Sequence, residues 1–440
     1  MALEGKRTFV GFGFGPIQGG LFLYEAFWSG NFRRLVVGEV MAEVVRAVRA
    51  AGGRFAVNIA HTYRVEVAEV GPLEIEDPAV EADRARLIEA VAAADELATA
   101  VPSVQFYVSP GPGSIHRILA EGLRRKAVAP GPRAVVYAAE NHSHAAEILE
   151  KAVLGEVPLA EQGAVRARVR FLNTVIAKMS GVVTEPESIA AQHLARISPQ
   201  VPRAFLVEGF NRILISRIHF EDSPSDPFYQ RGITVFEEKP DLLPFEEAKF
   251  YSLNAIHALA AYVGMVRGVR RIAELRSIPD VFAFLRAAFI EESGETMIRR
   301  YAGVHPLFTP EGYGAYADDF LARMTSPWLG DTVERVGRDV ERKLGWDDRL
   351  VATIRAARQE GVVARRYAFG VAAALATLDR SILEKEIPLG ERLTRLWKTV
   401  SPGGSEQDAV IALVEEGAPR LRQWHASGFQ NLENLFQLTT

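Results

Sequence analysis

The chain has 440 residues, 48% apolar and 24% charged, with 51 basic against 55 acidic side chains and no cysteine. That length suits two domains of about 200 residues each, and the near-balanced charge leaves no basic run or stripe for a nucleic acid. The missing cysteine excludes disulfides, thiolate catalysis and cysteine-ligated metal clusters. Residues 1–7 lead directly into a short apolar run without the longer apolar region of a secretory signal. The longest mostly apolar run, residues 368–378, is too short for a membrane span. A cytoplasmic protein with no membrane and no nucleic-acid partner is expected, as a monomer or small homo-oligomer.

In chain order, residues 8–12 read as a strand followed by a helix over 21–27, then a strand at 35–37 and a helix over 41–51. Residues 55–59 and 63–67 alternate apolar with polar side chains and suit an inserted hairpin. Later strands are expected at 104–108, 134–138, 205–207 and 213–215. This alternation of strand and helix predicts a parallel, doubly wound sheet. Near residue 240, in a segment with two prolines, the pattern changes. Helices are expected over 248–266, 279–289, 314–324, 331–343 and 367–383, and the tail from Leu432 onward reads as peripheral. The predicted architecture is an α/β Rossmann-type domain over 1–240 followed by a mostly α-helical domain over 241–440.

Gly13-Phe14-Gly15-Pro16-Ile17-Gln18 falls where the first strand turns into the first helix. Glycines there let backbone N–H groups approach a pyrophosphate at a helix N-terminus. The third fingerprint position is Gln18 rather than glycine, Gly11 permits another register, and a plain tight connection also fits the residues. Glu39, at the end of the second strand, strengthens the nucleotide reading: its carboxylate can accept from ribose hydroxyls and would repel a 2′-phosphate, favouring NAD over NADP. Ser109-Pro-Gly111-Pro-Gly113-Ser114 suits either a cofactor-facing turn or a simple loop.

Just past the boundary, Glu246, Lys249, Asn254 and His257 lie in one helical stretch. At 100° per residue, Asn254 and His257 are about 60° apart and Lys249 about 80° from His257. Alcohol oxidation needs a base for the hydroxyl proton and donors that polarise the forming carbonyl. A desolvated lysine suits the first role, asparagine and histidine the second. Singly, each residue also reads as an ordinary surface or core side chain.

The spacing Lys249-x4-Asn254-x2-His257 resembles the hallmark of the polyol-specific long-chain dehydrogenases, the mannitol dehydrogenase family. Ala139-Glu140-Asn141 looks like that family's acidic-Asn motif, residues 291–301 its following helix, and residues 331–349 its C-terminal signature. The resemblance implies an NAD-dependent, metal-independent enzyme acting on a polyol or sugar phosphate, closest in look to the mannitol-1-phosphate branch. It implies Lys249 as general base, Asn141 and Asn254 on the reacting oxygen, His257 orienting substrate and Glu246 aiding proton exchange. It also implies Arg335 and Lys343 near the substrate, with Arg338 and Arg349 as further cations for a phosphate; ion pairing on a charged helix is the plainer alternative for Arg335 and Lys343. Ala177 stands where the family has aspartate, and Ser326 where it has asparagine. A non-phosphorylated polyol, hexuronate or cyclitol, or a non-catalytic NAD-binding sensor, are the alternatives. His142 and His144, with Glu140 or His116, could in principle hold a metal, but pocket wall or surface is the expectation.

Overall fold

The computed structural model describes residues 6–128, 131–220, 229–398 and 404–437, so the first five residues and the last three of the tail lie outside them. The chain divides into two compact units, Met1–Leu243 and Pro244–Thr440.

The strands of the first unit are β1 Arg7–Phe12, β2 Phe32–Gly38, β3 Phe55–Ala60, β4 Val65–Val70, β5 Glu74–Glu76 and β6 Glu96–Thr99. They continue as β7 Ala134–Ala138, β8 Val169–Val175, β9 Ser180–Val183, β10 Ala204–Glu208, β11 Leu214–Ser216 and β12 Glu237–Lys239. Eight of them form one sheet in the order β12-β11-β8-β7-β6-β1-β2-β5. From β5 across to β8 all neighbours are parallel, and β11 runs antiparallel to β8. With the β3–β4 hairpin set aside, the six parallel strands follow the 3-2-1-4-5-6 order of a doubly wound nucleotide fold, reversing between β1 and β6.

Consecutive side chains explain why this sheet is buried on both faces. Phe9, Leu35, Val37, Val135 and Tyr137 join one apolar cluster. Their neighbours Val10, Val36, Leu97 and Val136 join the other. Such two-sided burial is what a parallel sheet covered by crossover helices requires. The hairpin expected from residues 55–67 is present, with Phe55 opposite Val70 and Ala60 opposite Val65. It forms a second sheet, β4-β3-β10-β9, in which β10 runs parallel to β3.

One expected strand is wrong. Residues 104–108 form no strand: Val104–Tyr107 is a 3₁₀ turn whose N-cap, Ser103, accepts from Gln105 N at 3.3 Å. The strand that fills this place in the sheet is β6, a four-residue run headed by the fully buried Glu96. Glu96 accepts from Tyr137 Oη at 2.8 Å and from the backbone N–H of Gly232, so its carboxylate is satisfied inside the core. Burial pushes its carboxyl up to about 7.

The second unit is helical among its described residues. Ala255–Arg267 is buried along most of its length and Arg365–Leu378 for eleven of its fourteen residues. Glu292 ties the N-terminus of the latter helix, accepting from Arg366 N at 2.8 Å and Tyr367 N at 3.1 Å. The expected single helix over 331–343 is broken into Val333–Gly337 and Val340–Lys343, with Asp339 between them in the left-handed region at φ 59°. Gly337 lies so close to Met265 that a Cβ there would sit 2.7 Å from its sulfur, and this packing fixes where the first piece ends. The tail is not peripheral over its described part. Leu432 is fully buried, Glu433 pairs with Arg366 at 2.6 Å, and Phe436 packs on Phe284 with ring centroids 5.0 Å apart. Among the described residues no helix is long and apolar enough to cross a membrane.

Candidate functional site

In the first unit the glycine-rich turn leaves the carboxyl end of β1, where the strand order reverses. Gly13 adopts φ 82°, and a Cβ there would lie 2.8 Å from the carbonyl oxygen of Ala100, so both conformation and space demand glycine. Around Gly15 nothing lies within 4 Å of where a Cβ would stand, so the turn is open on that side. Gly15, Pro16 and Ile17 are partly exposed there, and Gly19 N donates to Gly15 O at 2.8 Å as the helix begins. The helix opens with a π-helical turn, Gln18–Leu23. Gln18 is fully buried, and its amide packs on Gly11 so tightly that a Cβ at Gly11 would overlap it. Gly11 and Gln18 therefore exchange the sizes expected at strand and helix, which explains how the third fingerprint position tolerates a long side chain.

Glu39 follows β2 and is 7% exposed. One carboxylate oxygen accepts from Phe14 N at 2.8 Å and the other from Met41 N at 2.7 Å. It thus braces the glycine-rich turn from the neighbouring strand, and each oxygen keeps a lone pair for a ribose hydroxyl. Ser109 and Gly111 are exposed on the loop after the 3₁₀ turn.

Asn141 follows β7 and is exposed. Its neighbour Glu140, expected only as the acid of the acidic-Asn motif or a possible metal ligand, is a buried hub. It accepts from Thr99 Oγ1 and Val101 N, both at 2.9 Å, and from the Tyr107 hydroxyl. Tyr107 in turn offers its carbonyl to His116 Nδ1 at 3.0 Å. Glu140 therefore joins the ends of β6 and β7 to the segment that carries Ser109 and Gly111. The signals for it in the sequence are the acidic-Asn motif and an acid two residues past a buried strand. His142 and His144 are exposed with ring centroids 6.2 Å apart, while the Glu140 carboxylate is turned inward. No group of three or more candidate ligands able to hold a metal is found among the described residues.

In the second unit, the helix that carries Lys249, Asn254 and His257 is not uniformly α. Leu243–Ala248 is α, Lys249–Asn254 is π-helical, and Ala255–Arg267 is α again. In an α-helix, residues five apart diverge by about 140°. A π turn bonds i to i+5 and so stacks them on one face. The wider turn therefore sets Asn254 one turn beyond Lys249, and His257 follows within about 60° of Asn254. The three residues share a face because of the π segment, which a uniform 100° step does not describe.

Their electrostatics differ. The Lys249 ammonium is pushed down to about 8, first by desolvation, with Glu246 opposing and Arg349 reinforcing the shift. His257 is pushed down to about 4, again mainly by desolvation, with Asp331 opposing and Arg335, Lys343 and Arg349 reinforcing. At neutral pH the imidazole is neutral while the lysine titrates nearby. Lys343 is 6% exposed, donates to Val336 O at 2.5 Å, and is pushed down to about 8 by burial and by Arg349 and Arg342. Arg335 is half exposed and paired with Asp331. Arg338 is 72% exposed and lies near Asp339, and Arg349 pairs with Asp348 at 2.8 Å. Glu246 is half-buried.

The parallel sheet in 3-2-1-4-5-6 order, with its glycine turn at the reversal and an acid ending β2, defines a Rossmann-type dinucleotide-binding unit joined to a helical unit. Residues 241–385 match the family model described as the mannitol dehydrogenase C-terminal domain. The chain is 30% identical over 370 residues to mannitol-1-phosphate 5-dehydrogenase of Pseudarthrobacter chlorophenolicus, covering 80% of this chain and 85% of that protein. It belongs to the mannitol dehydrogenase family. Its fold is similar to Pseudomonas fluorescens mannitol 2-dehydrogenase, solved in a ternary complex with NAD and D-mannitol (TM-score 0.71, 16% identity, 99% of this chain and 96% of that one). It is similar also to D-sorbitol dehydrogenase in substrate-free form (TM-score 0.73, 14% identity, 97% and 95%).

Proposed function

We propose that this chain is an NAD-dependent oxidoreductase that interconverts a secondary alcohol and a ketone on a polyol or polyol phosphate, of the mannitol 1-phosphate and fructose 6-phosphate type. The observation that carries the reading is the π turn that stacks a desolvated lysine, Lys249, beneath Asn254 on the face shared with His257. A lysine near neutrality can take a hydroxyl proton in one direction and return it in the other. His257, with a pKa lowered to about 4, is a much weaker base than Lys249 and suits hydrogen bonding to substrate.

The first unit fits NAD on its own geometry: an open turn at Gly15, a left-handed Gly13 and the buried Glu39 at the end of β2. Gly13, Gly15, Pro16 and Ile17 would hold the pyrophosphate, Glu39 the ribose, with Ser109 and Gly111 on the flanking loop. When bound, NAD supplies the hydride acceptor. Lys249 then accepts the hydroxyl proton at Nζ, Asn254 donates to the developing carbonyl oxygen, and Glu246 assists proton exchange with solvent. The proton is carried by an amine, so no metal is invoked.

A phosphorylated substrate is favoured by the cations that act on Lys343, a buried ammonium with Arg349, Arg342 and Arg338 nearby and Asp339 opposing them. Incubating NADH with fructose 6-phosphate, fructose, tagaturonate and fructuronate tests the proposal. Oxidation of NADH with fructose 6-phosphate, abolished in Lys249→Ala, is expected. Binding of NADH without turnover of any ketone would point instead to a sensor.

A further inference from the structure

Asp331 has no role in the reading above, yet it lies beside His257, which has one. It leads into the Val333–Gly337 helix, where its carbonyl accepts from Ile272 N at 2.9 Å and Thr332 caps the helix by accepting from Arg335 N at 3.1 Å. These bonds fix the backbone that carries the carboxylate. Oδ1 accepts from the Arg335 guanidinium, and Oδ2 lies 3.6 Å from His257 Nε2, with the Asp331 side chain 13% exposed. His257 Nε2 is itself buried and has no hydrogen-bond partner among the described residues. Phe320 stands edge-on to the imidazole at 6.4 Å, so it supplies no acceptor. The charged groups acting on His257 are Asp331, Arg335, Lys343 and Arg349, one acid among three cations.

A neutral imidazole carries a single N–H, and the nitrogen that bears it is set by the neighbour each nitrogen faces. A carboxylate on the Nε2 side attracts the proton there and leaves Nδ1 with a lone pair. The same carboxylate restrains the Arg335 fork, so one acid sets two groups at once. We infer that Asp331 is a positioning residue that holds His257 as the Nε2–H tautomer and fixes Arg335. His257 Nδ1 is then an acceptor for a hydroxyl on the substrate, and Arg335 a donor beside it. The consequence for specificity rests on the proposed role of His257 and on the place near the substrate that the family resemblance implies for Arg335; the tautomer does not.

The tautomer is read from the long-range proton–nitrogen spectrum of the full chain labelled with ¹⁵N-histidine at pH 7.5. The His257 signals are identified by their loss in His257→Gln. The wild-type protein is expected to show the Nε2–H pattern. Asp331→Asn, whose amide can donate to Nε2, is expected to move the population toward Nδ1–H. It should also raise KM for the polyol about tenfold, with kcat changed less than about threefold and the NADH dissociation constant unmoved. An Nδ1–H pattern in the wild-type protein overturns the inference, and that measurement needs no variant to fold. So does an Asp331→Asn spectrum identical to wild type. Because the spectrum requires no turnover, an inactive ketone panel leaves this test standing.

Discussion

Removing the Glu39 carboxylate should loosen the glycine-rich turn even before any cofactor binds. The structure gives it two backbone donors, Phe14 N at 2.8 Å and Met41 N at 2.7 Å. Hydrogen bonds to a charged group contribute about 1.5–3 kcal/mol each, and a donor left buried and unsatisfied costs about 1–3 kcal/mol. Phe14 is buried and Met41 half-buried, so in Glu39→Ala water can reach the second N–H but not the first. A loss of about 2–3 kcal/mol follows for the first unit, and Glu39→Gln, which keeps one acceptor, should lose roughly half of that. The assay is urea unfolding without cofactor, alongside NADH and NADPH titrations followed by fluorescence. NADH binding should weaken at least about tenfold in Glu39→Ala, and the preference for NADH over NADPH should narrow as the charge that repels a 2′-phosphate is lost. If Glu39→Ala unfolds at the wild-type urea concentration and binds NADH as tightly, the bracing role assigned to this carboxylate is wrong.

Other perturbations act on separate parts. Gly13→Ala meets both the left-handed backbone at φ 82° and the Ala100 carbonyl oxygen at 2.8 Å, so it should cost about 1–2 kcal/mol and weaken NADH binding, measured by the same titration. Glu140→Ala leaves the Val101 N–H and the buried Tyr107 hydroxyl without their acceptor. A loss of about 2 kcal/mol is expected on urea unfolding, with less than additive loss in combination with Tyr107→Phe. Glu292→Ala strips two N–H groups at the start of the 365–378 helix and an ion partner from Arg366. A decrease of about 3 kcal/mol is expected in the second unit while NADH affinity is retained.

Much of this molecule could be read from residue order alone, and the failures have physical causes. Strand–helix alternation exposes the parallel sheet because residues 9–12 of β1, 35–37 of β2 and all of β7 are continuous apolar runs. Residues 104–108 imitate a strand in composition, yet only Tyr107 of the turn is buried; Phe106 and Val108 face out, and Ser103 starts a 3₁₀ turn instead. β6 escaped notice because it is short and begins with a carboxylate, whose burial is made tolerable by partners 41 and 136 residues away. The π turn at Lys249–Asn254 was hidden because a fixed 100° step cannot reveal an inserted residue. Lys249, Asn254 and His257 are nevertheless legible as a group, since their spacing survives a change in helix type. The bracing contacts of Glu140 and the approach of Asp331 to His257 are not legible in the sequence, because what marks these residues is whom they touch, not where they fall in the chain. Glu39 was expected to face a ribose; that it also holds the adjoining turn depends on a contact 25 residues away.

The central claim is that the Lys249 amine, not the His257 imidazole, carries the reacting proton. Alcohol oxidation needs the neutral amine, so kcat/KM for the polyol should rise with pH through about 8 and level off above it, while ketone reduction, which needs the ammonium, should fall across the same range. The decisive measurement is this pair of profiles in the wild-type protein and in His257→Gln, with Lys249→Met as the blank. The account predicts that the inflection near 8 persists in His257→Gln and that Lys249→Met loses at least about a hundredfold in rate. An inflection that disappears with His257 and survives the loss of Lys249 would contradict it.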